Sequence, residues 1–173
     1  MTASDSLLSE EYDVLLIDLD GTVYRGANVI PGARDALANA DATQYFVTNN
    51  ASRSPEAVAA HLLALGIEVT PDAVVTSAQA GARLVAGTVP EGGRVLVVGA
   101  SALEDEVRST GLTPVRDFEP GVAAVVQGFA PEVGWRDLAE AALAIRAGGW
   151  WVATNVDTTL PSERGLLPGN GSL

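Results

Sequence analysis

One apolar run, Val14-Leu15-Leu16-Ile17, leads without a break into Asp18-Leu19-Asp20-Gly21. Four apolar residues in succession, with no polar alternation, predict a parallel strand covered on both faces, and Gly21 ends it. In open α/β sheets ligands collect at the carboxyl ends of strands. Asp18 and Asp20 therefore emerge where a substrate would bind.

The residue types suit phosphoryl chemistry. An ionised Asp at a strand end can attack phosphorus and form an aspartyl-phosphate, which divides one difficult hydrolysis into two easier steps. Asp18 is the candidate nucleophile. A second carboxyl two residues on, set aside by the glycine turn, can protonate the leaving alcohol and later take a proton from water; Asp20 fits this role. Two carboxylates repel an anionic phosphate, so a hard divalent cation with oxygen ligands, magnesium, is expected with them. The same tetrad is also good turn material, since Asp and Gly favour reversals after strands. A calcium loop is a weaker match, because the later ligands and the closing Glu are absent.

Charge narrows the partners. Twenty-two acids against ten bases give the 173 residues a net charge of -12, which argues against nucleic acid or an anionic membrane as the main partner. All ten bases are arginine, with no lysine and no cysteine. A thiol nucleophile and a zinc-cysteine site are thereby excluded. The single histidine, His61, lies within a predicted helix and reads as structural. Residues 1–11 are polar and acidic, without a basic start or a long apolar core. Neither a signal peptide nor a membrane anchor is expected, which gives a cytoplasmic location.

The rest of the chain repeats a strand and helix rhythm. Thr43 to Thr48 has strand composition and ends at Asn49-Asn50, so Thr48, Asn49 and Asn50 are placed at the same sheet edge as Asp18. A hydroxyl and two amides there can hold phosphate oxygens without adding charge, or simply cap a turn. Ser54-Pro55-Glu56 opens a helix that Gly66 closes. Thr70-Pro71-Asp72 reads as a turn, Ser77 to Ala86 as a helix, and Gly87 to Gly93 as the most linker-like stretch.

A second α/β pattern then begins. Strands are predicted at Arg94 to Val98, Val122 to Val126 and Trp150 to Ala153. Between them come a helix from Ser101, capped by a Ser101–Glu104 box and burying Leu103 and Val107, and one from Asp137 to Ala147 with Leu138, Ala142 and Ile145 on one face. Gly99 lies where a strand meets a helix, but the full dinucleotide pattern of glycines is missing. From Leu160 the chain reads as loop, with Ser172 as an N-cap.

Four stretches, in order, match a known family: Asp18 to Gly26 with Ile30-Pro31-Gly32-Ala33, Phe46 to Ser52, Ala153 to Asp157, and Gly165 to Leu173. On these the chain resembles the haloacid-dehalogenase-like (HAD) hydrolase superfamily, in its p-nitrophenylphosphatase-like or NagD-like branch. The resemblance implies an α/β fold: an incomplete Rossmann-like parallel-sheet core, assigned to residues 1–80, with an inserted α/β cap at 81–173. It implies a magnesium-dependent phosphatase of small phosphomonoesters such as glycerol phosphate or phosphoglycolate. Asp18 matches the nucleophile and Asp20 the acid/base, both with magnesium. Thr48 and Asn49 match the phosphate-binding positions, and Asn155 and Asp157 lie near the substrate-facing edge of the cap. Such caps often pair, so a homodimer through the cap is an expectation.

The chain departs from this family in two places. It has no lysine for the third motif, and no acidic fourth motif follows. The alternative is therefore a truncated or split fragment, incompetent alone. A receiver-like phospho-acceptor module ranks last, because it leaves the second α/β region unexplained.

Overall fold

A computed structural model describes residues 8–162 and 164–173. The chain forms two compact units. One comprises the described residues up to Thr48 together with Pro55–Val75; the other comprises Asn49–Ser54 and Thr76–Leu173. The Gly-rich stretch 87–93 lies inside the second unit. That stretch is tied down rather than free: Gly92 N–H donates to Gly111 O at 2.9 Å and Val89 is buried.

The first unit runs α1 (Leu8–Glu11), β1 (Val14–Asp18), β2 (Tyr24–Arg25), β3 (Asn28–Val29), α2 (Ala33–Ala38), β4 (Thr43–Thr48), α3 (Pro55–Ala64) and β5 (Val74–Thr76), whose last residue begins the second unit. The sheet order is β1-β4-β5. β1 and β4 run parallel, with Leu16 opposite Tyr45 and Asp18 opposite Val47. Leu19, Phe46, Val58, Leu62 and Val74 form the core on one face. His61 packs edge-on against the Tyr24 ring at 4.8 Å, a structural role.

The expectation that β1 is covered on both faces is not met. Val14 and Leu16 are 48% and 75% exposed, and Tyr45 beside them is 37% exposed. The apolar run reports what the strand could bury, whereas burial also needs a layer to supply the other surface. Among the described residues no element covers that face.

The second unit continues with α4 (Ser77–Ala86), β6 (Arg94–Val98), α5 (Ser101–Ser109), β7 (Thr113–Val115), β8 (Val122–Gln127), α6 (Trp135–Arg146), β9 (Trp150–Ala153), β10 (Thr159–Ser162) and β11 (Gly165–Pro168). Its main sheet is parallel, in the order β7-β6-β8-β9. Here both faces are covered. Ala78, Ala82, Val85, Leu103 and Val107 of α4 and α5 pack with Val95, Val97 and Val126 on one side. Ala141 and Ala144 of α6 pack with Leu96, Val98 and Val125 on the other.

Several local expectations are corrected. Ala100, not Ser101, is the N-cap of α5, so no side chain caps the helix and Ser101 and Glu104 fall one position too far in for a capping box; Glu104 instead pairs with Arg108 at 2.8 Å and Arg116 at 2.7 Å. A capping box does occur at α4, where Thr76 Oγ1 accepts from Gln79 N at 3.2 Å and Gln79 Oε1 accepts from Thr76 N at 3.0 Å. α6 begins two residues earlier than read, and Ala142 is exposed while Ala141 and Ala144 are buried. The stretch read as loop after Leu160 holds the antiparallel pair β10 and β11. Ser172 does not cap a helix; its hydroxyl donates to Gly169 O at 2.7 Å within a short 3-10 turn.

Candidate active site

In the first unit the two acids are set by the residue between them. Leu19 is fully buried, so Asp18 and Asp20 on either side of it are both exposed. Leu19 O accepts from the backbone N–H groups of Thr22, Val23 and Tyr24 at 3.2, 2.9 and 3.3 Å, which closes a tight loop. Gly21 takes φ 88 in that loop, a conformation that glycine adopts without steric cost. Asp18 accepts from Thr22 Oγ1 at 3.1 Å. Thr22 was not singled out from the sequence, although its place in Asp-x-Asp-Gly-Thr was visible.

Thr48 ends β4, the strand beside β1, one residue beyond the Val47 that faces Asp18. It is 4% exposed and alternates onto the covered face with Phe46, while Asp18 stands with Leu16 on the open face. The expected common sheet edge is therefore present, with the two side chains on opposite sides of the pleat.

The second unit gathers Asn49, Asn155 and Asp157. Asn49 Nδ2 donates to the Asp157 carboxylate. Asn155 Nδ2 and Ser77 Oγ both donate to Asn49 O, at 2.9 and 2.6 Å. Asn155 Oδ1 accepts from Asp157 N at 3.2 Å. Asn50 behaves as a turn residue: its Oδ1 accepts from Ser52 N at 2.8 Å and Ser52 Oγ at 2.7 Å. Two residues that sequence reasoning missed, Asn170 and Gln127, lie behind this cluster and are buried.

A cleft of about 390 Å³ opens in the second unit, lined by Gly99, Ser101, Arg116, Ala130, Arg136 and Glu140 among others. None of the predicted site residues lines it. Its arginines are already engaged, Arg116 with Glu104 and with the Val97 and Gly99 carbonyls, and Arg136 with Asp117. Among the described residues no three acidic or histidine side chains cluster as a metal cage, and no helix is long and apolar enough to cross a membrane.

The model of the haloacid dehalogenase-like hydrolase family matches residues 15–113. This chain belongs to that family. It is 58% identical to a D-glycerol 3-phosphate phosphatase of Mycobacterium tuberculosis over 166 residues, which are 96% of this chain and 47% of the relative. It is 40% identical over 167 residues to an acid sugar phosphatase of Staphylococcus saprophyticus, covering 95% of this chain and 63% of that one. Among solved structures, a glycerol phosphate phosphatase from Mycobacterium tuberculosis in complex with magnesium superposes with a TM-score of 0.92 at 59% identity, over 95% of this chain and 50% of that one. A p-nitrophenyl phosphatase from Archaeoglobus fulgidus gives a TM-score of 0.82 at 29% identity, over 92% and 61%. The chain thus spans about half the length of the first of these relatives.

Proposed function

We propose that this hydrolase acts as a phosphatase of small phosphomonoesters, with glycerol phosphate and phosphoglycolate as the substrate class. The carrying observation is the pair of exposed carboxylates on either side of buried Leu19 at the carboxyl end of a parallel strand. The phosphatase relatives support the same reading.

In the first step an Asp18 carboxylate oxygen bonds to phosphorus, the bond from phosphorus to the ester oxygen breaks, and Asp20 gives that oxygen its proton. In the second step Asp20 takes a proton from water as the water oxygen attacks phosphorus, and the bond to Asp18 breaks to release phosphate. Thr48 ends the strand beside Asp18 with its side chain on the covered face, so its phosphate-binding role rests on the family resemblance alone, and Asn49, Asn155 and Asp157 are the candidate substrate contacts of the second unit. The donors at Asp18 and Asp20 are all oxygen, which fits a hard cation. The Asp18 carboxylate and the Asp20 carbonyl would hold magnesium, whose charge offsets the repulsion between the acids and the phosphate.

A second reading is favoured by the open face at Val14, Leu16 and Tyr45 and by the missing lysine. In it, these residues form part of a catalytic unit that needs further polypeptide layered on that face. Losing one preorganised charge partner costs about 100 to 1,000-fold in rate, so turnover by the 173 residues alone would be low. Phosphate release from glycerol 3-phosphate and p-nitrophenyl phosphate with magnesium tests both readings. Release that falls by more than about a thousand-fold in Asp18→Asn supports the first, by analogy with other nucleophile deletions. No release from folded protein, restored by adding the half of the Mycobacterium tuberculosis relative that this chain does not cover, supports the second.

A further inference from the structure

We propose that Asn170 is a positioning residue whose buried amide fixes the conformation of the Asn49, Asn155 and Asp157 cluster. Asn170 is 2% exposed, and its polar atoms are engaged with partners far off in sequence. Its Nδ2 donates to Asn155 O at 2.7 Å. Gln127 Nε2 donates to Asn170 O at 3.1 Å and lies 3.3 Å from its Oδ1. Gln127 Oε1 in turn accepts from Trp151 Nε1 at 3.2 Å. A relay of side chains therefore runs from Trp151 through Gln127 and Asn170 to Asn155, and from Asn155 to the carbonyl of Asn49.

The residues flanking Asn170 hold it in place by close packing. A Cβ on Gly169 would meet the Asp157 carbonyl oxygen, and one on Gly171 would meet the Val156 carbonyl oxygen. Neither glycine has a positive φ, so space rather than backbone freedom demands it. Gly169 N donates to Thr158 O at 3.0 Å and Gly171 N to Asp157 O at 2.8 Å. The Gly-Asn-Gly segment is thereby stitched along residues 156–158, with the Asn170 amide pressed against the Asn155 carbonyl. A buried amide whose donors and acceptors are matched in this way holds its partners in one arrangement.

The consequence is directional. Asn155 presents one end of its amide to Asn49 and the other to Asp157, and Asp157 receives the Asn49 side chain. Setting the Asn155 backbone therefore sets both partners at once. That these three residues meet a substrate rests on the phosphatase reading; that Asn170 orders them does not.

The test uses the full chain with Asn170→Asp, which keeps the shape and removes the donor, and Asn170→Leu as a second variant should the first fail to fold. In wild type and variant, NMR follows the Asn49 side-chain amide resonance and hydrogen exchange at Asp157 N–H, with the β6 amides Val95 to Val98 as reference. The expected result is a shifted or lost Asn49 amide signal and exchange at Asp157 faster by tenfold or more, with β6 unchanged. Where the wild type turns over p-nitrophenyl phosphate, KM rises several-fold while kcat stays within about twofold. An unmoved Asn49 amide, acceleration shared equally by β6, or an unchanged KM in an active enzyme would overturn the assignment. A wild type without turnover counts against the phosphatase reading alone, and the NMR and exchange results then decide the role of Asn170.

Discussion

The two parallel sheets start from nearly the same kind of strand and end in different environments. Val14-Leu15-Leu16-Ile17 and Val95-Leu96-Val97-Val98 are both unbroken apolar runs. In β6 all four residues are buried, shared between the α4–α5 side and the α6 side. In β1 the pattern alternates between exposed and half-buried, and Leu16 stands 75% exposed where Leu96 is fully buried. The difference lies in the layers around the strands rather than in the strands. Parallel sheets are stable when both faces are covered, and only the second sheet meets that condition among the described residues. The acids of the first unit sit at the end of its half-covered strand, whereas the polar cluster of the second sits on a finished scaffold.

The largest expected effect is therefore in the second sheet. Leu96→Ala removes a fully buried side chain packed with Val98, Val125 and Ala144. The lost transfer energy and the residual cavity should cost about 2–5 kcal/mol. Chemical denaturation followed by circular dichroism measures this. A loss below about 1 kcal/mol would mean that the second core is loosely packed and that the contrast between the sheets is smaller than burial indicates.

A smaller change probes the one flaw in the finished sheet. Thr154 Oγ1, just beyond β9, is buried and has no hydrogen-bond partner among the described residues. A buried hydroxyl without a partner carries a desolvation penalty of about 1–3 kcal/mol. Thr154→Val exchanges it for a methyl of similar size and should raise stability by up to about 1 kcal/mol, read as a Tm increase of about 2–4 °C. A clear fall in Tm would reveal a partner for the hydroxyl and make the second unit more polar inside than its side-chain contacts suggest.

Much of this contrast was legible in the sequence, and the failures have physical causes. The strand and helix rhythm, the inward Leu103 and Val107, and the acids flanking Leu19 all follow from local patterns. β7 escaped because Pro114 lies within it, and a proline demotes a predicted strand; it is tolerated because β7 is an edge strand. The Ser101–Glu104 capping box failed because the helix begins one residue earlier than that box requires, with Ala100, which has no side-chain acceptor, at the N-cap. Asn170 was invisible as a positioning residue, since its bonds reach 15 residues back to Asn155 and 43 to Gln127. Local pattern carries no information about partners at that distance. The open face of β1 was misread for a related reason, because hydrophobic runs record demand for burial and not its supply.

The smallest expected effect is the most discriminating for that face. Leu16→Ala deletes the counterpart of Leu96, but from a side chain 75% exposed, where substitutions stay within about 0.5 kcal/mol. The denaturation midpoint of the isolated chain should therefore hardly move. If the open face receives further polypeptide, the same substitution should weaken that association, measured by sedimentation with the uncovered half of the Mycobacterium tuberculosis relative as the added chain. Loss of binding with unchanged stability would separate a face built for contact from one that merely remains exposed. A loss of stability above about 1.5 kcal/mol in the isolated chain would instead mean that Leu16 is already covered in solution, and the comparison between the two sheets would fail at its central residue.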